Sequence, residues 1–227
     1  MSNASEKIGL FFCRIGVSAN VVTALGLMLA ALSGYLIYHG YFTAAAVSLL
    51  VSGLLDLLDG AIARASENVS KFGAILDSSF DRYGDGFIFT GIIFYCFQHG
   101  RHGYAALAIS GLIGSFLISY VRARAECLVE KCRVGFWERG ERIGLIFVGL
   151  LLNNLPLVLW VLGIAAHFTV FFRMYYSYLS SRSDAGWIEG KGLIKNLLFH
   201  TSPRRSLIYL AKAGTVFLAT LFCRPPF

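Results

Sequence analysis

Charge is scarce in this sequence. Only 15% of its 227 residues are Asp, Glu, Lys or Arg, against roughly 25% in a soluble domain. That shortage excludes an ordinary water-soluble domain. Paired cysteines are missing too. The five thiols, Cys13, Cys96, Cys127, Cys132 and Cys223, are odd in number and scattered, which excludes a disulfide framework and points to reduced thiols. Cys127 and Cys132 have no accompanying His or second Cys pair, so a thiolate metal site is not expected. The chain has no P-loop and no D-x-D-x-D-G calcium loop. It has no internal repeat of the kind inverted-repeat transporters carry. A basic, aromatic-interleaved soluble module is also lacking, so the net charge of +7 reads as basic loops facing an anionic leaflet, with no nucleic-acid partner. No cleavable leader is expected, because the early apolar stretch "IGLFFCRIGV" is short and holds Arg14.

What the sequence does have is apolar length: 56% of it is hydrophobic. A membrane-crossing helix needs about 20 largely apolar residues. Six stretches qualify or nearly do: Asn20–Tyr38, Tyr41–Arg64, Phe72–Phe97, Tyr104–Ala125, the shorter Arg139–Asn153, and Pro156–Tyr178. The expected fold is therefore an all-α polytopic membrane protein, with one six-span domain over residues 20–180. Residues 1–19 read as an interfacial amphipathic helix. Residues 181–227 read as a polar linker and a basic amphipathic tail, with Arg204, Arg205 and Lys212, lying on the membrane. A seventh span in that tail is the alternative. With the amino terminus inside, 19 of the 20 Lys and Arg fall on the inner side and only Arg101 outside. So lopsided a split supports six spans with both termini in the cytoplasm. The outer turns, near His39–Gly40, His99–Gly103 and Asn153–Pro156, are very short.

Against this oily background four carboxylates stand out. Asp56, Asp59, Gly60 and Ala63 follow i, i+3, i+4, i+7 and share one face at the inner end of the second span. After a short loop, Gly73, Asp77 and Asp81 are spaced by four and form a stripe on the third. Antiparallel neighbours would turn the four acids toward one another. Charges at membrane depth are costly unless paired or facing water. One bland solution is salt bridging to Arg64, Lys71 and Arg82 at solvated helix ends. For four acids on facing stripes the stronger expectation is a pair of hard, oxygen-seeking ions, Mg²⁺, Mn²⁺ or Ca²⁺, about 4 Å apart, able to clamp phosphates. Gly60 and Ala63 would let a bulky ligand approach the backbone, and Arg64 could pair with a phosphate. A transporter using these acids to carry Mg²⁺ is a reading from another class. The acids lie near the inner ends of the spans, however, and not in broken helices at the midplane.

The same residues carry a resemblance. "DLLDGAIARASENVSKFGAILDSSFD" (56–81) resembles the signature of the CDP-alcohol phosphotransferase family at every fixed position: D, two residues, DG, two residues, AR, eight residues, G, three residues, D, three residues, D. "GVSANVVTALGL" is similar to the family's Pro-Asn-x-x-Thr segment, with Ala19 where Pro is usual. The resemblance spans roughly residues 8–180 and implies a six-span homodimer in the inner (plasma) membrane with its active site toward the cytoplasm. It implies an enzyme that displaces CMP from a CDP-lipid such as CDP-diacylglycerol and gives the phosphatidyl group to an alcohol. On that resemblance Asp56, Asp59 and Asp77 hold the metals with Asp81 beside them. Asp81 is the general base, and Asp56, Gly60, Arg64, Gly73 and Asp77 contact the CDP group.

A second, basic constellation bears on the acceptor. "SYVRARAE" (119–126) ends the fourth span, "GFWERGERI" (135–143) opens the fifth, and Arg173 lies within the sixth. Arginines suit phosphates because their planar fork binds two oxygens at once. An arginine inside a span usually faces the interior, although each of the others could simply obey the positive-inside rule. These segments also resemble those of one subgroup, the prokaryotic phosphatidylinositol-phosphate synthases. That implies inositol phosphate as acceptor, with Ser119, Arg122, Arg139 and Arg173 on its phosphate, Arg142 a weaker candidate and Asp85 either structural or in support of the site. Glycerol phosphate, serine or another alcohol remains open within the family. The five histidines are scattered and make no site.

Overall fold

The computed structural model describes residues 9–12, 18–65, 71–127 and 137–182. Most of the expected interfacial helix (1–19), the 66–70 loop, Cys132 and the tail from 183 lie outside the described residues. Among the described residues the regular elements are all helices, with no strand. In chain order the helices are α1 (Ala19–Tyr38), α2 (Phe42–Ala65), α3 (Lys71–Gln98), α4 (His102–Glu126), α5 (Arg139–Leu151) and α6 (Leu155–Arg182). Most boundaries agree with the sequence expectation to within two residues. The exception is the end of α6, which continues past Tyr178 because the polar "LSSR" keeps to the helix.

Four of the six helices, α1, α2, α4 and α6, are long and apolar enough to cross a membrane. The other two differ for identifiable reasons. The stretch of α3 up to its middle carries Asp77, Asp81, Arg82 and Asp85. Helix α5 has only 13 residues, a rise of about 20 Å at 1.5 Å per residue. Large apolar side chains stand exposed along the outer faces, Leu57 at 70%, Phe72 at 68% and Phe171 at 68% among them. In a soluble protein such patches would be aggregation liabilities; in a bilayer they meet lipid.

The chain forms two compact units, Met1–Phe116 with Arg139–Gly163, and Leu117–Glu138 with Ile164–Phe227. In the first unit, small residues rather than bulky ones hold the helices together, as expected where lipid removes the hydrophobic drive between helices. Between α1 and α2 runs a ladder of serine hydroxyls donating to carbonyls: Ser33 to Ala45 at 2.9 Å, Ser48 to Leu29 at 2.8 Å and Ser52 to Gly26 at 2.8 Å. Each such bond is worth about 0.6 kcal/mol in a membrane helix pair. Helices α1 and α3 approach through Gly34 and Gly91. A Cβ built on Gly91 would collide with the Gly34 carbonyl, and one on Gly34 with the Phe87 carbonyl.

The three tight turns close alike. After α1, the amide of Gly40 donates to Ile37 and that of Tyr41 to Leu36. After α3, Gly100 donates to Phe97 and Arg101 to Cys96. After α5, Asn153 donates to Leu150 and Asn154 to Gly149. This is the Schellman closure, which needs a left-handed residue just past the helix end. Gly40 (φ 79°), Gly100 (φ 66°) and Asn153 (φ 54°) supply it. At the opposite end of α1, the Ser18 side chain caps the helix by accepting from the Val21 amide. The helical turn at 9–12 lies against α2, close enough that a Cβ on Gly9 would strike the Ala61 carbonyl.

The second unit has its own small core of Ile118, Ala166 and Val170, with Val121 and Trp137 packed against it.

Candidate active site

The serine ladder sets α2 against α1, and the glycine contact sets α3 against the same helix. Both helices therefore pack on α1, and the carboxylates of α2 and α3 approach one another. Asp56, Asp59 and Asp77 each offer one oxygen, and the three oxygens lie within 4.8 Å of one another. Asp59 is the most enclosed, at 6% exposure, and its Oδ2 is buried with no hydrogen-bond partner. Asp81 lies one turn beyond Asp77 and is joined to Asp56 through a single guanidinium: Arg139 Nη1 is 2.8 Å from Asp56 Oδ1 and 2.6 Å from Asp81 Oδ1. Asp56, Asp59, Asp81 and Arg139 line a cavity of about 20 Å³ with Thr23, Gly26, Ser52, Phe80 and Gly84 among its walls. That is room for an object the size of a water or a small ion.

The bland expectation of salt bridges to Arg64 and Arg82 is not what forms. Among the described residues, the ion pairs of Asp56 and Asp81 go to Arg139, at the start of α5. Arg82 instead donates to the carbonyl of Ser78 on its own helix. Arg64 is exposed, and its guanidinium lies over Gly60, where a Cβ would come within 3.3 Å of Nη1. Gly73 is half-buried on α3, one turn before Asp77.

One turn beyond Asp81 lies a second, sealed set of charges. Asp85 is 4% exposed and Arg142 2%. Asp85 Oδ2 accepts from Ser115 Oγ at 2.5 Å and from Arg142 Nη2 at 3.0 Å. Its Oδ1 has no hydrogen-bond partner and stands 3.7 Å from Arg139 Nε, which also has none. Arg142, a weaker candidate for the acceptor's phosphate from the sequence, is thus buried against a carboxylate. Sequence reading missed Ser115, whose surroundings in α4 are plain apolar helix. It also missed Thr23 as a wall of the cavity, although Thr23 stands in the very segment that resembles the family's first helix.

The remaining basic candidates belong to the second unit. Arg173 is 2% exposed and its Nη1 donates to the Ile118 carbonyl at 2.9 Å. Arg122 Nε bonds Glu126 at 3.0 Å, with Glu138 4.0 Å from its Nη1. Ser119 is half-buried on the same helix.

Comparison with known proteins agrees with this geometry. Residues 16–173 match the family described as CDP-alcohol phosphatidyltransferase. An archaetidylinositol phosphate synthase of Pyrococcus horikoshii is 36% identical over 171 residues, covering 75% of this chain and 88% of the relative. The crystal structure of Mycobacterium tuberculosis phosphatidylinositol phosphate synthase with CDP-DAG bound is similar with a TM-score of 0.73 at 28% identity, over 80% of this chain and 97% of that one. The same synthase in complex with manganese and citrate has a TM-score of 0.71 at 30% identity, over 86% and 100%. The spaced aspartates, the helices that bring them together and a match running from the start of the first helix into the sixth agree on one assignment: this chain is a member of the CDP-alcohol phosphatidyltransferase family.

Proposed function

We propose that the chain transfers a phosphatidyl group from a CDP-lipid to a hydroxyl of inositol phosphate, releasing CMP. The observation that carries this reading is the convergence of Asp56, Asp59 and Asp77 to within 4.8 Å, with Asp81 tied to the same group through Arg139. The donor set fits divalent ions. It is all carboxylate, which hard Mg²⁺ or Mn²⁺ prefer, and it includes the buried, unpartnered Asp59 Oδ2. When bound by Asp56, Asp59, Asp77 and Asp81, two such ions would neutralise the diphosphate and stabilise the departing phosphate.

The chain's own residues do the rest. Asp56, Gly60, Arg64, Gly73 and Asp77 receive the CDP group, Arg64 lying over a glycine that leaves its guanidinium free to meet a phosphate. Asp81, half-buried at 22% side-chain exposure, takes the proton from the acceptor hydroxyl. The hydroxyl oxygen bonds to the phosphorus that carries the lipid, the anhydride bond to CMP breaks, and CMP leaves. Ser119, Arg122, Arg139 and Arg173 hold the acceptor's own phosphate. Support for this acceptor comes from the relatives: the archaeal and mycobacterial synthases share inositol phosphate in their names and differ in the lipid.

All six helices cross the membrane in this reading, α3 and α5 included, because their polar ends meet at a cytoplasm-facing site. The basic residues crowd that side. The plasma membrane and a homodimer complete the reading, on the family resemblance, with residues 20–180 as the catalytic domain. Release of CMP from CDP-diacylglycerol by the purified chain tests it. Inositol phosphate should drive release and glycerol 3-phosphate should not; the opposite result would overturn the acceptor. Ion flux into liposomes without nucleotide would overturn the chemistry.

A further inference from the structure

Arg139 has one positive charge and three carboxylates around it, and the way they are arranged is informative. Its Nη1 bridges Asp56 and Asp81. Its Nη2 lies against Gly84, where a Cβ would sit 3.6 Å away. Its Nε lies 3.7 Å from Asp85 Oδ1, and neither atom has a hydrogen-bond partner. An ordinary N–H···O bond spans about 2.9 Å, so a shift on the order of 0.8 Å would complete it. Asp85 is not free to make that move, because Ser115 and Arg142 hold its other oxygen. Arg139, 28% exposed along its side chain, is.

We propose that Arg139 has two seats and that divalent ions choose between them. In the outer seat its guanidinium acts as a built-in cation for Asp56 and Asp81. A divalent ion taking the same oxygens repels a positive charge a few ångström away. The guanidinium then moves inward, and Nε closes onto the waiting Asp85 Oδ1. Metal uptake and Arg139 compete for one pair of carboxylates, and Asp85 lowers the cost of the exchange. This rests on the metal-dependent reading above and deepens it. Arg139 bridges Asp56 and Asp81 until the ions arrive; once Nε is seated on Asp85, its Nη1 is released from those carboxylates toward the acceptor's phosphate.

The test is Mn²⁺ binding to the full chain in detergent, followed by electron paramagnetic resonance of the free ion and needing no turnover. Arg139→Gln should bind Mn²⁺ on the order of tenfold tighter than the unaltered protein. Arg82→Gln removes a nearby charge that makes no ion pair with these carboxylates, and should change affinity by less than about twofold. Asp85→Asn should weaken Mn²⁺ binding in the unaltered background and leave it unchanged in the Arg139→Gln background, since only Arg139 connects Asp85 to the ions. Equal affinities for Arg139→Gln and the unaltered chain would overturn the two seats, as would equal gains from Arg82→Gln and Arg139→Gln. If Asp85→Asn does not fold, the Arg139 and Arg82 variants decide alone. If Mn²⁺ binds neither the unaltered chain nor Arg139→Gln, the metal reading itself fails, which is a separate result.

Discussion

Asp81 and Asp85 stand one helical turn apart on α3, yet the fold treats them in opposite ways. Asp85 is sealed in, given its countercharge by Arg142 at 3.0 Å and a hydroxyl donor by Ser115 at 2.5 Å. Asp81 belongs to a group of four, with Asp56, Asp59 and Asp77, and among the described residues the ion pairs of that group all go to one arginine. The inner carboxylate is matched in charge by Arg142, although its Oδ1 has no hydrogen-bond partner. The outer group has four carboxylates against a single arginine, a negative charge in excess. Burying an ion is tolerable only when something opposite meets it. A carboxylate whose countercharge comes from the fold holds the structure together. A cluster left short of countercharge has room for ions from solution.

That contrast can be broken at three points, in order of expected effect. Asp81→Asn should lower CMP release by roughly 10²–10⁴, the usual contribution of a positioned base, with the thermal midpoint hardly changed. A comparable loss of stability would place Asp81 with Asp85 instead. Asp85→Asn should do the reverse and destabilise the fold by about 3–5 kcal/mol, because Arg142 is left as an uncompensated buried charge. Its signature is a lower thermal midpoint with and without metal. Asp59→Asn should have the smallest effect, and its sign should depend on metal. In chelator it removes one of several repelling charges, so the midpoint holds or rises slightly. In excess Mn²⁺ the unaltered chain gains ligand-linked stability that the variant lacks, and the order reverses. A midpoint that falls equally under both conditions would show that Asp59 is structural.

Much of this site was legible before any coordinates. The i, i+3 and i, i+4 spacings of Asp56, Asp59, Asp77 and Asp81 each define a helical face, and a face is a local property that spacing alone determines. The three short turns were legible too, although that Gly40, Gly100 and Asn153 close them in the left-handed region is seen only in the structure. Arg142 was harder. From the sequence it is one more basic residue near the inner surface, and nothing local distinguishes it from Arg139 three residues earlier. The helix turns one of them into the sealed pair with Asp85 and the other toward the open group. Ser115 carried no signal at all, since a serine in an apolar helix usually bonds its own backbone.

The sequence by itself determined that this chain is helical and membrane-bound and that its acids lie on two helical faces. Composition, apolar run length and periodicity are sums over neighbours, so they need no fold to be read. Only the tertiary structure decided which acids receive a countercharge. Arg139 meets Asp56 across 83 positions of chain, and Arg142 meets Asp85 across 57. Such pairings exist only once the serine ladder and the glycine contact have settled which helices lie side by side, and at what depth.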